Sequence, residues 1–181
     1  MNRESRRWLD TLGMTVMETI GLHRGDHVLD FGCGPGFYVI PAAMLVEPDG
    51  VVYALDRDHE KLDTLTRRAS AYGLANIEIA ETAGSLSLTF DSACMDAMLV
   101  YDVLHSHFFT DQARRRLLRE ARRVLTMDGL LSIYPRHMSQ DDAVAAAEQA
   151  GFRLDRRVTT TLHHNHAIVK DTVLNFRKKE Q

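Results

Sequence analysis

Val28-Leu29-Asp30-Phe31-Gly32-Cys33-Gly34-Pro35-Gly36-Phe37-Tyr38 is the stretch on which the reading of this chain turns. An apolar run of strand type stops at an acid and enters three glycines spaced two apart. An apolar, helix-like run, Val39 to Leu45, follows at once. Glycine is needed where backbone turns with positive φ or lies against a ligand with no Cβ in the way. At a helix start, exposed N–H groups and the positive dipole end favour an anion. Gly32, Gly34 and Gly36 therefore read as a loop after a first strand, holding a small anionic group. A dinucleotide fingerprint would read G-x-G-x-x-G. Here the third glycine comes one residue early and the bulky Phe37 fills the dinucleotide position, which disfavours a nicotinamide dehydrogenase.

Working outward, Glu47-Pro48-Asp49-Gly50 reads as a turn, and Val51 to Asp56 as a second strand. Asp56 falls twenty residues after Gly36, where an acid is expected to take the ribose hydroxyls of an adenosine ligand. Asp58 to Tyr72 has a helical apolar stripe closed by Gly73, and Asn76 to Ala80 is a short third strand. A fourth, central strand spans Ala93 to Tyr101. Thr110 is placed to cap a helix from Asp111 to Leu125, and Asp128-Gly129 turns into a fifth strand, Leu130 to Tyr134. Ser139 to Asp142 fits a capping box for a helix to Ala150. A sixth strand from Gly151-Phe152 to about Thr160 and a last strand from about Asn165 to Phe176 complete the pattern. Before all of these, residues 3–20 carry apolar side chains at helical spacing.

The pattern D-x-G-x-G-x-G over residues 30–36 resembles motif I of the class I S-adenosylmethionine (SAM) methyltransferases. Phe90-Asp91-Ser92 through His105, and Leu118 to Ile133 (LREARRVLTMDGLLSI), resemble further segments of that family. The likeness runs from about residue 22 to 176. It is nearest the small-molecule branch that includes the ubiquinone and menaquinone biosynthesis (type 11) methyltransferases. It implies an α/β, Rossmann-like doubly wound sheet of seven strands, ordered 3-2-1-4-5-7-6 with strand 7 antiparallel and helices on both faces. One domain over 1–181 is expected, with residues 1–21 a helix covering the pocket and 22–181 the core.

The implied cofactor is SAM, leaving as S-adenosylhomocysteine. The resemblance sets Asp30 toward the methionine ammonium and Gly32, Cys33, Gly34 and Gly36 along the methionine part. Asp56 and Arg57 fall at the ribose, Thr82 and Ala83 near adenine, and Tyr101 near the methyl group. The family's usual Gly-Asp pair after the third strand is missing, and Glu81-Thr82-Ala83-Gly84 stands there instead.

The family shares no universal catalytic residue. If the nucleophile arrives protonated, a histidine with pKa near the working pH suits the base. His105, past strand four, is the first candidate and His137, past strand five, the second. Tyr38 and Tyr101 are candidates to face the sulfonium through their rings. His163-His164-x-His166 reads as a hairpin turn with surplus histidines. No nearby cysteine or paired carboxylate completes a metal set, so none is expected.

Hydrophobic residues at 45% and charged residues at 26% are ordinary for a soluble globular domain. A net charge of −3 gives no general push toward nucleic acid or anionic membrane. Cys33 and Cys94, the only cysteines, speak for a reducing, cytoplasmic setting, and two thiols are too few for arsenite methylation. No apolar run approaches the ~20 residues of a membrane span. The arginines between Arg114 and Arg123 read as a solvated helix face, with an RNA-contacting face as the alternative. The absence of the N/D-P-P-Y/F motif argues against methylation of adenine or glutamine amino groups. Short connections suggest either an open pocket for a modest acceptor or a homodimer whose second subunit completes the site. A SAM-fold partner or regulatory subunit without activity is the reading from a different class, and an RNA methyltransferase using the arginine-rich helix is a third.

Overall fold

The computed structural model of the chain describes every residue except Ala83, Ser106, Phe108 and Gln181. Its strands are β1 (His27–Phe31), β2 (Val51–Asp56), β3 (Ile77–Glu81), β4 (Met95–Tyr101), β5 (Leu125–Tyr134), β6 (Phe152–His164) and β7 (Ala167–Lys178). They form one sheet in the order β3-β2-β1-β4-β5-β7-β6, parallel from β3 to β5, with β7 antiparallel to both its neighbours. This is the doubly wound order expected from the sequence. The order reverses between β1 and β4, and open α/β sheets bind ligands beyond the strand ends at such a point.

The helices are α1 (Arg3–Arg7), continued through a wide π-helical turn (Trp8–Leu12) into α2 (Gly13–Ile20), then α3 (Val39–Val46), α4 (His59–Ala71), α5 (Asp111–Val124) and α6 (Gln140–Gln149). Asp58, Thr110 and Ser139 cap α4, α5 and α6, each accepting a backbone N–H three residues on. Each such cap is worth about 1 kcal/mol. Buried strands need apolar side chains on both faces. Val28 and Leu99 meet α2, α3 and α4 on one side, while Leu29, Met98 and Val100 meet α5 and α6 on the other. The stripe Leu117, Leu118, Ala121 and Val124 fixes α5, each fully buried Leu or Val contributing about 1.5–3 kcal/mol.

Three local expectations change. Asp128-Gly129 is not a turn between α5 and a strand. β5 starts at Leu125 directly after α5, and its register with β4 jumps from Met95↔Leu125 to Ala97↔Leu130. The turn chemistry is spent in a bulge over residues 126–129, because the chain enters the sheet with no residues left for a separate loop. Secondly, β6 continues to His164, so the hairpin loop is only Asn165-His166, with φ of 47° and 64°. Both values suit the two-residue type I′ turn that follows strand twist. Thirdly, the N-terminal helical segment is not uniformly α. Its π-helical turn lets Trp8 and Leu9 face inward together with Val16, Met17 and Ile20.

The β6–β7 hairpin is much longer than the edge it completes. β5 pairs with β7 only at Leu131 to Ile133, but the hairpin ladder runs on to His164↔Ala167. Its tip lies on the N-terminal segment. Asn2 donates to the His166 carbonyl (2.7 Å), Glu4 accepts from the Ile168 N–H (2.9 Å), and Ser5 Oγ meets His163 Nε2 (2.9 Å). The hairpin tip is thus fastened to the first residues of the chain by three side-chain hydrogen bonds.

Candidate active site

The glycine loop is tied to the end of β2: the N–H groups of Gly32 and Cys33 both donate to the Leu55 carbonyl (2.7 and 3.0 Å). Its glycines serve two purposes. A Cβ on Gly36 would lie 2.3 Å from Leu65 Cδ1 and one on Gly32 2.5 Å from Val103 Cγ2, so the protein's own packing requires both. A Cβ on Gly34 would meet nothing within 4 Å. The middle glycine faces open space, the side on which a ligand can lie against bare backbone.

Two carboxylates meet this loop. Asp56 Oδ2 accepts from the Gly34 N–H (2.7 Å) and Oδ1 from the Asp58 N–H (2.9 Å). A carboxylate offers about four lone-pair positions, so two remain for hydroxyl donors. Asp30 is 2% exposed, and no hydrogen bond among the described residues reaches its Oδ2. Burial, reinforced by the charge of Asp56, pushes its carboxyl up to about 7. A buried, unpartnered carboxylate oxygen is costly unless a cation or donor arrives to meet it.

The loop is held from outside by three groups. Trp8 Nε1 donates to the Phe37 carbonyl (2.6 Å), Arg68 donates to the Pro35 carbonyl, and the Arg68 guanidinium lies 4.2 Å from the Phe37 ring centre. His163 stacks on Phe37 at 3.9 Å between ring centres. Burial lowers its imidazole to about 4, so it is neutral near pH 7. His163 is therefore not a surplus turn residue but part of the packing around the loop. Cys33 is buried, and burial raises its thiol far out of the reactive range.

On the far side, the Thr82 N–H donates to the Asp56 carbonyl (2.9 Å), so β3 ends beside β2. Exposed Glu81 pairs with His59 at 3.4 Å. Arg57 is exposed at the end of β2. Ala83 lies outside the described residues.

Beyond the carboxyl ends of β4 and β5 is a second group. Tyr101 is buried, with its hydroxyl 2.9 Å from Ser132 Oγ and its ring edge-on to Tyr38 at 4.7 Å. Tyr38 donates to the His163 carbonyl (2.8 Å). These contacts engage both phenols in packing, and burial keeps them protonated. Asp102, the next residue, sits at φ 56°, a left-handed conformation that Asp tolerates better than most residues. Around its carboxylate stand His164 Nδ1 (3.4 Å), His137 Nε2 (3.7 Å) and His105 Nε2 (4.0 Å). Burial lowers the imidazoles of His105 and His164, partly offset by Asp102. The fold thus brings both candidate bases to one carboxylate and adds His164, which sequence reasoning assigned to a turn. The one available signal was the density of histidines at 163–166 in a strand-forming context.

The arginines of α5 divide. Arg123 donates to the Phe90 and Leu88 carbonyls (both 2.8 Å), Arg122 to that of Gly151 (3.4 Å) and Arg114 to that of Leu104 (2.8 Å). Arg115, Arg116 and Arg119 are exposed. Half of this basic face therefore fastens α5 to neighbouring loops. Among the described residues no helix is long and apolar enough to cross a membrane.

The doubly wound sheet, with its glycine loop at the switch point and an acid near the carboxyl end of each of the first two strands, defines a nucleoside-binding α/β domain of Rossmann-like class. The family model for a methyltransferase domain matches residues 28–129, more than half of the chain, and the chain belongs to that family. The chain is similar to a probable cobalt-precorrin-6B C(15)-methyltransferase (decarboxylating) of Saccharolobus solfataricus, 33% identical over 61 residues, which are 34% of this chain and 31% of that protein. Matches to such curated relatives span only about a third of their length. Among solved structures, a SAM-dependent methyltransferase from Aquifex aeolicus superposes with a TM-score of 0.77 at 23% identity, over 95% of this chain and 92% of that one. The [4+2]-cyclase SpnF shares the fold at a TM-score of 0.66 and 21% identity, over 83% of this chain and 59% of that one.

Proposed function

We propose that this chain transfers a methyl group from SAM to a small-molecule acceptor. The observation that carries the proposal is the buried Asp30, whose Oδ2 has no hydrogen bond among the described residues, beside a glycine loop whose middle residue faces open space and whose Gly34 N–H is held by Asp56. An ammonium is the natural partner for Asp30, and ribose hydroxyls for the remaining lone pairs of Asp56. Gly32, Cys33, Gly34 and Gly36 would line the methionine part, and Arg57 and Thr82 the nucleoside. Glu81 or Thr82 would take the adenine amino group in place of the missing acid. Tyr101 and Tyr38 would wall the methyl end.

SAM supplies an activated methyl on a sulfonium that leaves as a neutral thioether. The protein's part is alignment and exclusion of water, which can be worth roughly 7–11 kcal/mol. Asp102, His105 and His137 would stand on the acceptor side, where an imidazole could take a proton from the nucleophile. The likeness over about residues 22 to 176, nearest the small-molecule branch that includes the ubiquinone and menaquinone methyltransferases, favours a small acceptor within this reading. One fold can host several reactions, and the cyclase likeness makes a non-methylating role the alternative. Calorimetric titration with SAM and S-adenosylhomocysteine, with NAD as control and Asp56→Ala in parallel, is the test. Micromolar binding of both sulfur ligands, lost by about tenfold or more in the variant, is expected. A folded protein that binds neither refutes the reading.

A further inference from the structure

We infer that Asp102, His137 and His164 form a binding site for one divalent transition-metal ion of the zinc type, whose open position receives the methyl acceptor as an anion. The inference deepens the proposed function and rests on it for the acceptor's role, but not for the metal's.

The three residues reach one point from three elements: Asp102 directly after β4, His137 past β5 and His164 at the end of β6. One donor atom from each lies within 4.8 Å of the others. The shorter separations are 3.4 Å (His164 Nδ1 to Asp102 Oδ2) and 3.7 Å (His137 Nε2 to Asp102 Oδ1). These are too long for good N–H···O hydrogen bonds, which fall at about 2.7–3.2 Å. They are close to the spacing a shared ion imposes. Zinc bonds of about 2.0–2.1 Å in tetrahedral array set their donor atoms about 3.3–3.4 Å apart.

A second observation points the same way. Asp102 Oδ1 is inaccessible to solvent and receives no hydrogen bond from the described residues. A buried carboxylate oxygen is expected to have a partner, and a cation between it and two imidazoles is one. Two histidines and a carboxylate are moreover the donor set of catalytic zinc sites, which keep one position open, whereas structural sites close with four protein ligands. The residues that flank Asp102 tie it to the glycine-loop end of the sheet. Val103, next to Asp102, packs on Gly32 of the loop, and Tyr101, before it, packs on Tyr38.

An acceptor bearing an acidic O–H or S–H would bind there as its oxyanion or thiolate, since a bound cation lowers the pKa of what it ligates. Its proton leaves to solvent. A lone pair on the acceptor atom then forms the bond to the methyl carbon as the methyl–sulfonium bond breaks, and the bonding pair stays on sulfur. His137 is on this account a ligand and not a base.

The test titrates the full chain, stripped by a chelator, with Co²⁺ followed by visible absorption, and with Zn²⁺ in competition. His164→Ala, the double variant His137→Ala/His164→Ala and Asp102→Asn run beside it; Asn tolerates the left-handed backbone at 102. One tightly bound ion per chain is expected, with a tetrahedral cobalt spectrum. Removing a direct ligand should weaken binding by about 100-fold or more, beyond the 10–100-fold of outer-shell changes. SAM titrated into each stripped variant should bind as to the parent, which shows that the variants are folded. No saturable binding, or binding unchanged in the double variant, overturns the inference. SAM bound without metal sinks the metal site and leaves the methyltransferase reading standing. Metal bound without SAM does the reverse.

Discussion

Lowering the pH from 7 to 5.5 is expected to weaken SAM binding about 15-fold, and the cause is one carboxyl group. Asp30 is buried, one of its oxygens has no hydrogen bond among the described residues, and burial together with the charge of Asp56 pushes it up to about 7. An ammonium ligand binds the ionised form. With a pKa of about 7 that form is about half the population at pH 7 and about 3% at pH 5.5, which gives the ratio and corresponds to about 1.6 kcal/mol. The ligand's α-amino group stays charged over this range, so Asp30 sets the slope. Calorimetry at pH 5.5, 6, 6.5 and 7, in buffers of different ionisation enthalpy, reads both affinity and protons. Near pH 6, close to one proton should be released per SAM bound. Asp30→Asn should bind more weakly at pH 7 and lose the slope. The linkage for stability has a definite sign: a carboxyl raised in the folded state contributes stability that is present below its unfolded pKa near 4 and is lost as pH rises through about 7. Asp30→Asn should therefore stabilise the ligand-free protein at pH 8, by up to about 4 kcal/mol. A parent affinity that is flat between pH 5.5 and 7, or an equal slope in the Asn variant, would refute the reasoning.

Three further substitutions probe how the loop is held. Gly36→Ala places a Cβ 2.3 Å from Leu65 at a φ of 83°, so a loss of roughly 2 kcal/mol or more by urea unfolding is expected, together with weakened SAM binding; Gly34→Ala, which meets no atom, should lower SAM affinity more than stability. Trp8→Ala removes a fully buried ring and the donor to the Phe37 carbonyl; calorimetric melting should show about 3–5 kcal/mol lost and Tm down by about 10 °C, and a Tm within 2 °C or so of the parent would show that the N-terminal segment does not brace the loop.

How far the site could be read in advance depends on how local each part is. The strand, glycine loop and helix over residues 28–46 are consecutive, and backbone conformation at three glycines is written in residue type. Asp56 follows from a spacing that one turn, one helix and one strand impose. The caps at Asp58, Thr110 and Ser139 are equally local. The bulge after α5 was not legible, because Asp128-Gly129 carries the same turn signal whether the turn lies between elements or inside a ladder. His163 and His164 were misplaced for a related reason. Strand residues near a hairpin and turn residues differ little in composition, and only the pairing of β6 with β7 extends the ladder to His164.

The sequence by itself therefore determined the order and kind of the elements, the glycine loop and the two acids beside it, since these rest on periodicity, turn chemistry and spacing within single βα units. Tertiary structure alone decided that Asp102, His137 and His164 face one another, that His163 packs on Phe37, and that a long hairpin reaches the N-terminal segment. Those residues sit at the ends of separate strands. Their meeting depends on how β4, β5 and β6 are registered and how far the hairpin projects, and these are set by packing across the whole sheet rather than by any local run of residues.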